Sequence, residues 1–410
     1  MSDFVHSLEK YAQLALKVGV NLQAGQTLVI RAPITTAEFV RTAVKAAYEA
    51  GARQVYVDWE DDQVRRLRVL HAPQESLAQF PAWKAEMLEQ YAREGAAFLT
   101  VVSRNADLLK GADPQRAALQ MKADAGVLGS LRQYTRTGRV CWAIVAVPSP
   151  DWAARVFPEL DENARMEKLW QAVFRANRID SDDPVQAWQD HLAQLVRKRD
   201  YLNRKRYRRL HFKAPGTELA VDLPELHVWN GGPWRGENGT VFVPNLPTEE
   251  VFTMPKKDGV NGVVTSTKPL NYGGSLIDRF TLRFENGRIV DFSAETGREA
   301  LKNLIETDEG AHYLGEIALV PHHSPISEMN ILFYDTLYDE NASCHLAIGN
   351  AYPVCLEGGT RMTGEELARC GANISSAHSD FMIGSADMEI DGETAEGMRE
   401  PIFRKGNWAI

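Results

Sequence analysis

The first half of the chain alternates short apolar runs with segments whose apolar residues recur at helical spacing. Near-continuous apolar runs are typical of strands buried on both faces of a parallel sheet. Such runs occur at 27–30, 53–58, 97–102 and 140–147. Apolar residues at every third or fourth position predict helices, and this spacing occurs at 8–18, 39–47, 87–94, 116–122, 163–176 and 183–205. The pattern predicts a parallel sheet with helices on both faces.

The periodicity changes in the second half. Short alternating strands separated by Gly- and Pro-containing turns occur at 210–213, 219–222 and 240–243, a pattern typical of an antiparallel or α+β domain. A chain of 410 residues also exceeds the size at which a single core usually keeps growing. We therefore predict an α/β scaffold domain with a mostly parallel sheet over 1–205. An α+β catalytic domain with a mixed or antiparallel sheet is predicted over 206–410.

Composition narrows the possible partners. The formal net charge is −9, and no periodic face carries a cluster of basic residues, which argues against nucleic acid as a partner. No run approaches the ~18 apolar residues that span a bilayer, and the N-terminus lacks the basic-then-apolar order of a signal peptide. We predict a cytoplasmic protein without a membrane partner. Its four cysteines are not spaced as CxxC, so we expect free thiols.

Nucleotide binding finds no support in the predicted parallel sheet. The sequence contains neither GxGxxG after a strand nor GxxxxGK[ST], the glycine patterns that let a backbone approach phosphates. No GxSxG elbow accompanies the serines near His378, which makes a Ser/His/Asp hydrolase a poor model. The absence of HExxH excludes a single-zinc protease helix as the model.

Three carboxylates lie in segments where a charge is costly. Glu316 interrupts the otherwise apolar run 313–320, and Glu249 and Glu250 are adjacent between a Pro turn and the strand-like residues 251–253. Strand alternation should direct one acid of that pair inward. A buried charge is tolerated only if it is paired or bound to a metal ion. Each of these acids is therefore a candidate metal ligand, with an ion pair or, for Glu316, an edge-strand charge as the alternative.

The stretch 338–345, YDENASCH, supplies Glu340 and His345, and Tyr352 follows it. In an extended segment His378 and Asp380 share one face, so an imidazole and a carboxylate can reach the same ion or two adjacent ions. Carboxylate-rich sites with His suit a pair of divalent ions of the Zn, Co or Mn type. Cys344 beside His345 is either a soft ligand, a nucleophile or, as we favour, a packed thiol.

Four segments in this order resemble the thermophilic-type metallo-aminopeptidase family: NLPTEEVFT at 245–253, GEIALVP at 315–321, LYDENASCH at 337–345 and HSDFMIG at 378–384. The resemblance implies a cytoplasmic, homodimeric exopeptidase that uses two divalent metal ions and removes N-terminal residues, with broad preference, from peptides with a free N-terminus. It implies Tyr352 as the catalytic tyrosine and six metal ligands, namely Glu250, Glu316, Glu340, His345, His378 and Asp380.

The chemistry is coherent with this resemblance. Two ions lower the pKa of a shared water towards ~7 and polarise the scissile carbonyl. Either Glu249 or a ligand acid then moves a proton to the leaving amine, and the Tyr352 hydroxyl donates to the developing oxyanion. We predict Tyr352 and Glu249 as the catalytic residues. A dipeptidase or amidohydrolase with the same ligands and a non-catalytic protein with a structural metal are the alternatives.

Overall fold

The computed structural model describes residues 2–79, 81–103, 105, 108–272 and 275–410. It divides into two compact units, Met1–Asp190 with Pro233–Pro247 and His191–Gly232 with Thr248–Ile410. Each unit is described by itself below.

The helices of both units are α1 Ser2–Leu14, α2 Ala37–Glu49, α3 Asp62–His71, α4 Gln74–Leu77, α5 Ala82–Arg93, α6 Pro114–Arg136, α7 Pro150–Val156, α8 Glu162–Ala176, α9 Pro184–Lys205, α10 Arg298–Ile305, α11 Pro325–Met329, α12 Thr336–Asp339 and α13 Gly364–Arg369. A π-helical turn continues α1 over Ala15–Gly19. Short 3₁₀ turns lie at Ile34–Thr36, Glu309–His312, Glu340–Ala342, Pro353–Cys355 and Gly359–Arg361. None of the helices among the described residues combines the length and the apolar character needed to cross a membrane.

The strands are β1 Thr27–Pro33, β2 Gln54–Glu60, β3 Ala97–Val102, β4 Trp142–Ala146, β5 Arg209–Ala214, β6 Thr217–Asp222, β7 Asn230–Gly231, β8 Trp234–Arg235, β9 Val241–Phe242, β10 Asn245–Leu246, β11 Val251–Thr253, β12 Val260–Thr265, β13 Leu270–Tyr272, β14 Ser275–Glu285, β15 Arg288–Thr296, β16 Leu314–Leu319, β17 His345–Gly349, β18 His378–Met382, β19 Glu389–Glu393, β20 Arg399–Arg404 and β21 Asn407–Trp408.

The first unit is built on a five-stranded sheet in the order β10-β4-β3-β1-β2. Every neighbouring pair in it is parallel. The first four residues of β1 are buried, as expected where helices cover both faces of a parallel sheet. Part of the core joins strand residues Val29 and Phe98 to Leu88 of α5 and Leu131 of α6. The prediction of a mostly parallel α/β half is confirmed.

The second unit contains two antiparallel sheets. One has the order β13-β14-β12-β6-β5-β19-β20-β21, with β15 also paired to β14, and the other has the order β18-β17-β16-β11-β7. All six residues of β16, at the centre of the smaller sheet, are buried. The predicted α+β half is confirmed, and its strand pairs are antiparallel throughout the described residues.

The compact units divide within α9, and the chain returns to the first unit over Pro233–Pro247. This return adds β10 beside β4 in the parallel sheet. The predicted domain boundary lies after residue 205, at the end of α9. The assignment of a scaffold role to one domain and catalysis to the other stays a prediction.

Candidate metal centre

Three strands of the smaller antiparallel sheet form the base of the site. Glu316 on β16 is opposite Ala347 on β17, and Ala347 is opposite Asp380 on β18. Side chains alternate between the two faces of a strand, so His345 shares the face of Ala347, and His378 shares that of Asp380. The small side chain of Ala347 between the two acids leaves space above the sheet in which their carboxylates can approach a common ion.

These residues form two groups of candidate ligands that share Glu316. Glu250, Glu316 and His345 make one group, and Glu316, His378 and Asp380 make the other; within each group the ligand atoms lie within 4.8 Å of one another. The Oε1 atom of Glu316 is 3.7 Å from His345 Nε2, whereas its Oε2 atom is 3.6 Å from His378 Nε2. One carboxylate therefore faces both groups, one oxygen to each.

Backbone carbonyls fix the orientation of both imidazoles. His345 Nδ1 lies 3.2 Å from the carbonyl oxygen of Ser343, and His378 Nδ1 lies 2.8 Å from that of Asn350. A carbonyl only accepts a hydrogen bond, so each Nδ1 carries the proton when the ring is neutral. The lone pair is then on Nε2, which points to the carboxylates. This arrangement is typical of metal-binding histidines.

Glu250 approaches from the segment before β11. Its Oε2 atom is 3.3 Å from His345 Nε2. The neighbouring Glu249 is buried and points elsewhere, with Oε2 3.5 Å from His191 Nε2, while that nitrogen also lies 2.8 Å from the Thr248 carbonyl oxygen. Of the adjacent pair, the structure therefore brings Glu250 and not Glu249 to the two ligand groups.

Glu340 and Tyr352 lie at the edge of the ligand groups. Glu340 begins the 3₁₀ turn after α12 and belongs to neither group, although its charge interacts with Glu250 and Asp380. The Tyr352 ring packs against the His378 ring at 4.7 Å between centroids, and its side chain remains half exposed. Tyr352 thus lies beside the site, where a molecule that binds from solvent can contact it.

The two ligand groups, together with Glu340, contain more acidic than basic side chains. Burial raises the pKa of Glu316 to about 7; His345 opposes this increase, and the charges of Asp380 and Glu250 add to it. Burial and the charges of Glu250 and Asp380 raise the pKa of Glu340 well above its ordinary value. Four carboxylates, those of Glu250, Glu316, Glu340 and Asp380, share two imidazoles. A divalent cation would relieve their repulsion.

Burial and the carboxylates act against each other on the imidazoles. Burial favours the neutral form of His345, yet the nearby carboxylates of Glu250 and Glu316 raise its pKa well above the ordinary value. The pKa of His378 rises to about 9 because Asp380 outweighs burial in the same way. Burial and nearby carboxylates also raise the pKa of Tyr352, which therefore keeps its proton at neutral pH.

The donor set fits a metal ion. Glu250 Oε2 and Asp380 Oδ1 are buried and accept no hydrogen bond from the part of the chain that the structure describes. Buried oxygens without donors are costly, and both face the imidazole-lined space. Carboxylate oxygens combined with histidine nitrogens suit Zn, Co or Mn. The fold and this site define a metal-dependent hydrolase.

Comparison with known proteins gives the family. The model of the thermophilic metalloprotease family M29 matches residues 4–408, so the chain belongs to this family. It is 54% identical to aminopeptidase AmpS of Bacillus subtilis, with all of each chain covered. Identity to aminopeptidase 2 of Geobacillus stearothermophilus is 52% over all of this chain and 99% of the relative. The solved structure of wild-type AmpT from Thermus thermophilus superposes with a TM-score of 0.94 at 42% identity, covering 99% of this chain and 100% of that one.

These findings confirm the predicted metallo-aminopeptidase and the resemblance on which the prediction rested. The alternative of a non-catalytic metal-binding protein is wrong, since the family is one of proteases. The individual roles of Tyr352, Glu249 and the six ligand residues stay predictions.

Asn341 is a positioning residue that the sequence did not reveal. It is fully buried, its Oδ1 accepts a hydrogen bond from the Glu249 backbone N–H at 2.7 Å, and its Nδ2 donates to the Leu337 carbonyl at 3.0 Å. It thereby ties the Glu249–Glu250 segment to the segment that carries Glu340. Its position inside the segment DENASCH is a sequence signal, but that segment does not identify the hydrogen-bond partners of Asn341.

Cys344, beside His345, is a packed thiol. It is 1% exposed, and its Sγ lies 3.3 Å from both the backbone nitrogen and the carbonyl oxygen of Val320. Burial raises the pKa of this thiol to about 11. A buried thiol that keeps its proton is neither a ready nucleophile nor a ready ligand.

Proposed function

We propose that this metallo-aminopeptidase uses two divalent ions of the Zn, Co or Mn class, which share the carboxylate of Glu316. The division of Glu316 between two groups carries the proposal, because one of its oxygens faces His345 and the other faces His378. Glu250, Glu316 and His345 would hold one ion, and Glu316, His378 and Asp380 would hold the other. Glu340 is proposed as a further ligand, drawn in when the positive charge arrives.

When bound, the ions would supply an activated water and polarise the scissile carbonyl. Tyr352 donates its hydroxyl hydrogen to the oxygen that becomes negative as the carbonyl is attacked. Removing one such donor from a hydrolase costs roughly 3 kcal/mol of transition-state stabilisation. The contact of Tyr352 with the His378 ring supports this role, since it holds the phenol beside the ligands.

Glu249 lies outside both ligand groups but is the sequence neighbour of the proposed ligand Glu250, and it is proposed to carry a proton to the leaving amine. Its neighbour His191 supports the role, because an imidazole 3.5 Å away can exchange a proton with the carboxylate. Glu249→Gln would then lower kcat and leave metal content unchanged. A Glu249→Gln variant with unaltered kcat assigns the proton transfer to a ligand acid instead.

The substrates are proposed to be peptides with a free N-terminus. The aminopeptidase names of the relatives support this class. An amidohydrolase with the same ligands would tolerate a blocked amine, and a dipeptidase would be restricted to dipeptides. Parallel assays of a pentapeptide and its N-acetyl form distinguish them. The expected result is release of residues from the free peptide alone, whereas cleavage of the acetylated form would overturn the proposal.

Metal dependence is tested by chelation and add-back. Dialysis against a chelator should remove activity, and titration with Zn²⁺, Co²⁺ or Mn²⁺ should restore it, with about two ions bound per chain at saturation. Full activity with one ion per chain would contradict the shared role of Glu316. We also propose a cytoplasmic homodimer, as the family resemblance implies; light scattering on the purified protein tests the oligomeric state.

A further inference from the structure

The segment that enters β18 is held by one carboxylate. Ser375 Oγ donates to Asp308 Oδ1 at 2.7 Å, and the N–H and the Oγ of Ser376 both donate to Asp308 Oδ2 at 2.6 Å. Hydrogen bonds from Ser376 and Ser375 hold the pKa of Asp308 well below its ordinary value, so the group is an anion at neutral pH. Hydrogen bonds to an ionised acceptor are about twice as strong as those between neutral groups. Asp308 therefore fixes the residues that lie just before Ala377 and His378.

Asp308 is itself tied to the smaller sheet. Its Oδ1 also accepts a backbone N–H of the 3₁₀ turn Glu309–His312 at 2.9 Å, which caps that turn. The fully buried Asn373 donates from Nδ2 to the Gly310 carbonyl at 2.7 Å and to the Gly349 carbonyl, at the end of β17, at 2.6 Å. Because β17 pairs with β18, the carboxylate has a defined position beside the strand that it holds.

Ser375 links this carboxylate to the carbonyl that orients His378. Its N–H donates to Asn350 Oδ1 at 3.2 Å, and its Oγ accepts the Ala377 N–H at 3.0 Å. The Asn350 N–H donates in turn to the Ala377 carbonyl at 2.8 Å. The Asn350 carbonyl oxygen lies 2.8 Å from His378 Nδ1. A continuous path of hydrogen bonds therefore runs from Asp308 to the imidazole.

Resting on the function proposed above, we propose that Asp308 is a positioning residue for His378 and acts through Ser375. Ser375 holds Asn350 in place, and the Asn350 carbonyl keeps the imidazole proton on Nδ1. The Nε2 lone pair is then directed to the carboxylates with which His378 forms its ligand group. An imidazole held in this way loses less freedom when it binds a metal ion, which raises the affinity of its group.

The two candidate histidines differ in their need for such support. The side chain of His345 is 1% exposed, whereas that of His378 is 21% exposed. Packing on all sides fixes the His345 ring, while the His378 ring depends more on the hydrogen bond at Nδ1. Groups that orient a metal-binding histidine contribute about 10- to 100-fold in metal affinity. Asp308 acts through two intervening residues, so we expect the lower value of about tenfold.

Asp308→Asn tests the proposal, because the amide nitrogen of the variant donates where a carboxylate oxygen accepted. Competition of the full chain with a fluorescent chelator measures Zn²⁺ affinity. One of the two ions should bind about tenfold more weakly. Glu366→Gln is the matched control, since Glu366 Oε2 accepts the N–H and the Oγ of Thr363 at 2.7 and 2.9 Å in the same unit. It should leave both affinities unchanged, and wild-type affinities in Asp308→Asn would overturn the proposal.

A double-mutant comparison separates positioning of His378 from a general structural role. In a His345→Gln background, the remaining ion is the one bound by the His378 group, and Asp308→Asn should still weaken it about tenfold. In a His378→Gln background, the remaining ion is the one bound by the His345 group, and Asp308→Asn should change nothing. A loss of equal size in both backgrounds would show that Asp308 supports the fold alone and would overturn the proposal.

The outcomes also distinguish this inference from the proposed function. If the wild type binds no divalent ion, the proposed function fails. If it binds two ions and Asp308→Asn binds them equally well, only the positioning role fails. Ser375→Ala removes the hydroxyl that joins Asp308 to Ala377, and it replaces Asp308→Asn if that variant does not fold. It should weaken the same ion, and unchanged affinity would again contradict the positioning role.

Discussion

Two buried carboxylates on sheet strands have opposite surroundings. Asp58 on β2 is 6% exposed and lies 2.7 Å from Lys84 Nζ and 3.5 Å from Arg31 Nε. Glu316 on β16 is 5% exposed and has imidazoles and further carboxylates around it. Asp58 has its cations built into the chain, whereas Glu316 faces groups that bind a cation from outside. Burial alone therefore does not identify a metal ligand. The distinguishing feature of Glu316 is that no Lys or Arg among the described residues forms an ion pair with its carboxylate.

The largest expected effect comes from removing the shared carboxylate. Glu316→Gln should lower kcat/KM for an aminoacyl anilide by roughly a thousandfold or more, because it removes a ligand from both proposed ions. His345→Ala should abolish activity for the same reason at one ion. Metal analysis and circular dichroism would check that metal is lost and the fold retained. Wild-type turnover by either variant would refute the site assignment.

Asp58→Asn is the matched change in the first unit, and it should separate stability from activity. The substitution removes the buried counter-charge of Lys84, whereas Arg31 keeps its ion pair with Glu60 at 2.6 Å. We expect a cost of about 3 kcal/mol in the free energy of unfolding. Residual kcat/KM should stay within a factor of two, because no proposed ligand is touched. Urea unfolding and the anilide assay measure the two quantities. A large loss of activity with unchanged stability would contradict the purely structural role assigned to Asp58.

Tyr352→Phe should lower kcat by roughly a hundredfold, because the variant lacks the hydrogen-bond donor to the oxyanion. Metal content should not change. Tyr48→Phe, at a tyrosine with 51% exposure, is the control for loss of a phenol elsewhere. If Tyr352→Phe instead loses metal, the phenol acts as a ligand and its proposed role is wrong.

Local patterns of apolar and polar residues predicted most of the fold. The predicted strands at 97–102 and 140–147 correspond to β3, Ala97–Val102, and to β4, Trp142–Ala146, because a strand buried on both faces needs a continuous apolar run. Glu316 was recognisable for the complementary reason, since a single charge inside such a run needs a compensating partner. The alternation in His378-Ser379-Asp380 likewise predicted two groups on one face, and β18 has them there.

These local patterns could not predict which distant strands pair with one another. The segment 245–253 is a single motif in the sequence. In the structure, Asn245–Leu246 pairs with β4 in the first unit, whereas Val251–Thr253 pairs with β16 in the second. Nothing in two adjacent residues encodes a partner a hundred positions away. The choice between Glu249 and Glu250 depended on the same pairing, because the register of β11 determines which acid lies over β16 and β17.

Glu340→Gln should have a smaller effect than the loss of Glu316. Glu340 belongs to neither ligand group, but its carboxyl group interacts electrostatically with Glu250 of one group and Asp380 of the other. We expect metal affinity to fall about 10- to 100-fold, the range seen when groups that support a metal site are removed. Competition with a fluorescent chelator measures the affinity. Unchanged binding of both ions would exclude Glu340 as a ligand.

The smallest expected effect tests whether a carboxylate paired with basic side chains also stabilises the second unit. Hydrogen bonds from His211 and Arg208 lower the pKa of Glu393 to about 2. A carboxylate with a lowered folded-state pKa stabilises the protein above its unfolded pKa of about 4.3, and this stabilisation is lost as the pH falls towards 2. Glu393→Gln should therefore cost about 1 kcal/mol at pH 7, and the cost should shrink by pH 3. Urea unfolding of both proteins at the two pH values measures the difference, in which the metal ligands cancel. If the cost instead grows on acidification, Glu393 is destabilised as an anion, and the rule drawn from Asp58 does not extend to this unit.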